Sequence, residues 1–161
     1  MVIFYSKEMK EEEGLIHVMG GGNSYCPVCA GRLSGYGWRQ RILIEAAGIT
    51  QTLLIHRLQC PVCERIHHEL PDIVVPYKRQ CAETIINVID GKLEDVCCDY
   101  GMIRRILAWW SALSVYFSGV LSSLWSKFGA VFSEPPRPKE IVRAVANANL
   151  WASTRSAQTS G

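Results

Sequence analysis

Two identical tetrapeptides, Cys26-Pro27-Val28-Cys29 and Cys60-Pro61-Val62-Cys63, stand thirty residues apart. Two residues between cysteines let one tight turn aim both sulfurs at a single ion, and two such turns complete a tetrahedral four-thiolate site. The spacing predicts one structural Zn2+, because four protein thiolates leave no coordination position for a reacting water. Two thioredoxin-like redox pairs would need a βαβ context that the intervening sequence lacks, and an iron–sulfur centre is the other occupant such thiolates accept. His67 and His68 follow the second pair and read as exposed polar residues on a closing strand. Cys81, Cys97 and Cys98 fall on expected helical apolar faces, where a small buried side chain explains them.

The elements that must bring the two turns together are legible between them. Tyr36–Ile44 and Ile49–Leu58 read as two strands joined around Ala47-Gly48, a hairpin with one cysteine pair at each outer end. Upstream, residues 2–5 form a short β-branched and aromatic run suited to an edge strand, followed by an acidic stretch at Glu11 to Glu13. The glycines 20–22 read as a loop, since no Lys-Ser/Thr follows to make a phosphate cradle. Downstream, Ala82, Ile85, Ile86 and Ile89 predict a helix over Lys78–Asp90 stopped by Gly91. A short helix over Leu93–Asp99 and another from Met102 through Trp110 to about Phe132 are expected next. A Pro-rich linker at 134–138, a helix over about Lys139–Trp151 and a fraying polar tail complete the chain.

The pair of helices around Gly101 fits helix-turn-helix spacing through Cys97, Gly101, Met102, Leu107 and Trp110. On that reading Arg104 and Arg105 sit early on a recognition helix, where they reach bases or phosphates. An ordinary helical bundle with solvated arginines is the alternative, because 81–126 carries three basic groups against five acidic ones. The next stretch, Ile106–Ser126, holds no charged residue over 21 positions and is long enough to cross a bilayer. Ser111, Ser114, Ser118 and Ser122 recur as one polar stripe, however, so the helix reads as packed or dimer-forming rather than spanning.

Net charge decides little. Seventeen basic against fifteen acidic groups give +2, too small to imply nucleic acid or membrane by itself, although 25–80 carries seven basic groups against four acidic. An odd count of seven cysteines and a charged start, MVIFYSKEMKEEE, suit a reduced cytoplasmic chain without an export signal. With 48% hydrophobic residues, a wholly disordered chain is excluded.

Several of these runs together resemble a known grouping: Cys-Pro-x-Cys, then Ile55-His56-Arg57-Leu58-Gln59-Cys60-Pro61, His67-His68-Glu69-Leu70-Pro71-Asp72 and Pro76-Tyr77-Lys78-Arg79. Over about residues 20–110 the chain is similar to an uncharacterised bacterial zinc-ribbon plus helix-turn-helix family, and to the amino-terminal zinc-binding part of some insertion-sequence transposases. The resemblance implies DNA binding linked to mobile elements. Two departures stand out: knuckles of that kind usually continue Cys-Gly, whereas here Ala30 and Glu64 follow, and the recognition helix is more apolar than is typical. No acidic strand-transfer domain is expected within these 161 residues.

The expectation is therefore an α+β protein. A zinc ribbon with an N-terminal strand occupies 1–77, a helix-turn-helix and long apolar helix 78–133, and linker, last helix and tail 134–161. The expected work is non-catalytic binding of double-stranded DNA, as a regulator or accessory of a mobile element. Arg104 and Arg105 would lie near bases, with Arg39, Arg41, Arg57, Lys78 and Arg79 toward phosphates. A protein-interaction module and a degenerate transposase remnant are the alternatives, and a homodimer through 106–132 is compatible with any of them.

Overall fold

The computed structural model describes residues 2–4, 8–12, 14–20, 23–129 and 137–151. It is a mixed α+β fold in which one six-stranded sheet carries three helices. The hairpin expected from the sequence is its centre: β4 (Ser34–Ile44) and β5 (Thr50–Gln59) pair antiparallel along their full length, with a bulge at Tyr36 between Gly35 and Gly37. The other edge of β5 is shared. Its end nearest the second cysteine pair takes β6 (Ile66–Pro71) antiparallel, and its middle takes β3 (Leu15–Met19) parallel. β1 (Val2–Phe4) then lies parallel to β6, and β2 (Glu8–Glu12) antiparallel to β3. The early run does form a strand, and the acidic stretch also pairs as one through Glu12. Glycines 21 and 22 of the expected loop lie outside the described residues.

Alternation along the hairpin sends Leu43, Leu53 and Ile55 to one face, and all three are buried. The helices cover that face. α1 spans Ala82–Ile89, four residues later than its apolar periodicity suggests. Tyr77 adopts a left-handed φ of 62° after Pro76, and the chain then bonds to the end of β4: Ile44 N–H donates to Arg79 O and Cys81 N–H to Ile44 O. Backbone groups spent on the sheet cannot also form a first helical turn. Cys81 instead caps α1, its Sγ accepting from the Thr84 N–H and lying 3.2 Å from Thr84 Oγ1.

No helix-turn-helix is shown. Leu93–Asp95 makes a single 3-10 turn, Cys97 N–H donates to Ala46 O, and one continuous helix, α2, runs over Tyr100–Phe128. Asp99 decides its start by accepting from the Met102 N–H at 2.8 Å. Gly101 consequently lies within the first turn of α2, where it does not separate two helices. Gly129, at φ 59°, ends α2 with its N–H bonded to Trp125 O.

α2 buries Ile106, Trp109, Leu113, Phe117, Val120 and Leu121, a stripe of helical period, and leaves Ser111, Ser118 and Ser122 exposed. α3 (Pro138–Asn147) and the segment after it close that stripe: Trp151 stacks on Phe117 with ring centres 5.5 Å apart, and Tyr116 donates to Leu150 O. A single apolar cluster thus runs from Val18 and Leu53 through Ile85 and Trp109 to Trp151, so sheet and helices share a core. A second, smaller one joins Cys26, Leu33, Leu58 and Cys60. By length and composition α2 is also apolar enough to cross a membrane, and a third of its most apolar window is buried.

Candidate metal centre

Each knuckle closes on itself in the same way. In the first, Cys26 N–H donates to Gly31 O and Ala30 N–H to Cys26 O; in the second, Cys60 N–H donates to Arg65 O and Glu64 N–H to Cys60 O. The residue after each second cysteine must turn left-handed to do this, and Ala30 and Glu64 have φ of 59° and 58°. Gly31 faces the partner knuckle so closely that a Cβ there would meet Cys60 Sγ at 3.1 Å and Val62 at 3.0 Å.

The long hairpin returns the second knuckle against the first, and the four sulfurs of Cys26, Cys29, Cys60 and Cys63 all lie within 4.8 Å of one another. Cys26 and Cys63 are 3.6 Å apart and Cys29 and Cys60 3.4 Å, far beyond a disulfide bond, and all four are free thiols. Four thiolates at about 2.3 Å around a tetrahedral metal stand about 3.8 Å from each other, so this cluster can hold a metal ion with small adjustment.

The thiols are poised unequally. Cys60 is drawn down to about 7, chiefly by the Cys63 backbone N–H with that of Val62, against burial. Cys26 also falls below its ordinary value; burial opposes this, but the Cys29 and Val28 N–H groups and the neighbouring thiols outweigh it. Cys29 is pushed up to about 12: the Gly31 N–H works against the shift, and the Cys60 thiol, burial, Cys63 and Cys26 prevail. A metal ion arriving at neutral pH therefore displaces a proton held on Cys29.

His67 departs from expectation. It is buried on β6, opposite Leu58, with Nε2 at 3.4 Å from Cys26 Sγ, and burial above all lowers its pKa. A neutral imidazole there can donate to a thiolate and steady it. His68, on the other face, is half-buried rather than exposed.

The expected DNA contacts separate into two groups. Arg41 and Lys78 turn inward: Arg41 Nη2 donates to Val75 O and Lys78 O at 2.8 and 2.7 Å, and Lys78 Nζ lies 4.4 Å from the centre of the Trp109 ring. Burial lowers the pKa of both. They hold the 75–78 loop to the sheet and to α2. Arg39, Arg79, Arg104 and Arg105 are exposed, the last two in the opening turns of α2.

Arg57 stacks over the Tyr36 ring at 4.9 Å, and its Nε is buried without an acceptor among the described residues. It pairs with His68 across β6 and is diagonal to Arg39 across β4, so the three share a face. Burial first, then Arg39 and Arg57, holds the His68 pKa down. Among the described residues no carboxylate makes an ion pair with Arg39 or Arg57. Sequence reasoning missed the clustering because it depends on strand register.

Fold and site define a mixed α+β protein whose central hairpin presents a four-cysteine cluster able to bind a metal ion. The chain belongs to the family described as Domain of unknown function (DUF6431), whose model matches residues 26–106, just over half of its length. That match begins at the first cysteine of the cluster and ends within α2. No curated protein and no solved structure matches the chain.

Proposed function

We propose that the chain is a non-catalytic DNA-binding module whose four-cysteine cluster holds one structural zinc ion, and that duplex phosphates dock on Arg39 and Arg57. The observation that carries this reading is the buried, unpartnered Nε–H of Arg57 beside Arg39 and His68 on one sheet face, with no described carboxylate in ion-pair contact with either arginine. Two guanidiniums fixed by strand pairing suit phosphate oxygens, which position a duplex without reading its sequence. Zinc fits the donor set because thiolates favour it and the four sulfurs already stand within 4.8 Å of one another.

Arg104 and Arg105 remain secondary contacts in this proposal, since the segment before Gly101 forms a 3-10 turn and not the first helix of a helix-turn-helix. The similarity to transposase zinc regions supports an accessory role at a mobile element. A salt titration of the zinc-loaded chain on random duplex DNA tests the proposal. Binding should weaken steeply with salt, and Arg39→Ala with Arg57→Ala should flatten the slope by about two. Folded, metal-loaded protein that shows no salt-sensitive binding at micromolar concentration would remove DNA as the partner.

A further inference from the structure

The face of the hairpin opposite the helices carries an aromatic arrangement that the phosphate contacts do not use. Trp38 on β4 lies beside its cross-strand partner His56, with ring centres 4.7 Å apart and planes 35° from parallel. The indole also reaches across β5 to His17 on β3, an edge-on contact with ring centres 5.7 Å apart. It remains 39% exposed, a large amount for a ring held by two neighbours.

His56 is fixed from below. Its Nδ1 is 3.0 Å from Glu69 Oε2, and Glu69 is buried and also accepts from Ser24 Oγ at 3.1 Å. The imidazole Nε2 then faces Gly35, where a Cβ would come within 3.2 Å. Beside it opens a cleft of about 230 Å³, whose polar wall includes Asn23, Ser24, Arg32 and Glu69. Arg32 is steadied by Asn23 Oδ1 at 2.8 Å and pairs with no described carboxylate.

We infer that Trp38, supported by His56, is a stacking platform for an unpaired nucleobase. Resting on the DNA-binding reading, this makes the preferred ligand a single strand or a duplex with an unstacked base. β4 pairs with β5 along one side, and its successive residues Trp38 and Arg39 point to opposite faces at the sheet edge. A backbone following that edge can place phosphate at Arg39 and Arg57 and turn the adjoining base over the edge onto the indole. An aromatic ring for bases and guanidiniums for phosphates, on the two faces of one sheet edge, supply the two kinds of contact that bind single strands without sequence preference. An apolar protein segment would leave Arg32 and Arg39 unmatched.

The test compares the zinc-loaded full chain on oligothymidylate, on an abasic strand of equal length, and on a blunt duplex. Trp38→Leu should weaken oligothymidylate about tenfold or more, Trp38→Phe should retain most of it, and both should bind the blunt duplex as the parent does. The abasic strand should bind the parent no better than Trp38→Leu binds oligothymidylate. Equal affinity of parent and Trp38→Leu for oligothymidylate, with duplex binding intact, overturns the platform and leaves the phosphate reading standing. Failure of the parent on all three ligands overturns both. Unchanged metal content and melting temperature in each variant establish that folding is not what the assay reports.

Discussion

Ala30 and Glu64 occupy the same place in the two knuckles, each one residue past a cysteine of the cluster, and their φ angles of 59° and 58° agree within a degree. A side chain in the left-handed region costs about 1–2 kcal/mol, a cost glycine escapes. The knuckles accept it because the turn that aims both sulfurs inward requires that conformation.

Glu64→Gly should therefore stabilise the metal-loaded protein by about 0.5–1 kcal/mol after the greater freedom of glycine in the unfolded chain is subtracted. Denaturant midpoints with unchanged slope measure it. Gly31→Ala should act the other way, because its methyl would press on Cys60 Sγ and Val62. Metal release in a competition with a chromogenic chelator should then be easier.

Cys60→Ser should abolish stoichiometric metal binding, while Cys81→Ser should retain it, since Cys81 caps α1 and lies outside the cluster. Elemental analysis of protein purified without chelator reads both. Chelation of the parent should unfold the knuckle end, because structural zinc contributes on the order of 10 kcal/mol to small modules.

Stability should fall as pH drops below the ordinary histidine value of 6.5, where the unfolded chain binds protons that folded His68 resists. Burial, Arg39 and Arg57 depress the His68 pKa, so its contribution is present above 6.5 and lost in acid. His68→Gln should flatten the dependence in urea melts at pH 7.5 and about 5.5. A phosphate on the two arginines reverses the local field, so duplex binding by the parent should take up protons.

Phe117→Ala should cost about 3–5 kcal/mol, since Phe117 is 1% exposed and meets Trp109, Trp110, Tyr116 and Trp151. Val115→Asp should leave thermal stability unchanged within about 0.5 kcal/mol, because Val115 is 82% exposed. A helix lying in a bilayer would suffer from both changes. Recovery of the parent in the carbonate-resistant membrane fraction would refute the packed-helix reading.

Spacing alone identified the four cysteines and the hairpin between them, since a Cys-x-x-Cys turn and a period-two strand are local patterns that need nothing distant to be recognised. The apolar stripe of α2 was equally plain, as helical period marks a buried face wherever the partner lies. The first of the two helices expected around Gly101 is only a 3-10 turn, because Asp99 starts α2 directly and a glycine tolerated in a first turn looks like one that opens a turn. Tertiary structure decided which charges are free. Arg39 and Arg41 are two residues apart on the same strand face, yet one is exposed and the other is bonded to the 75–78 loop. That loop reaches Arg41 through a long-range pairing of Ile44 with the chain near Arg79 and Cys81, which no local pattern encodes. The convergence of His56 and Ser24 on Glu69 likewise depends on strand register, which is set by the packing of the buried face and not by the polar residues it brings together.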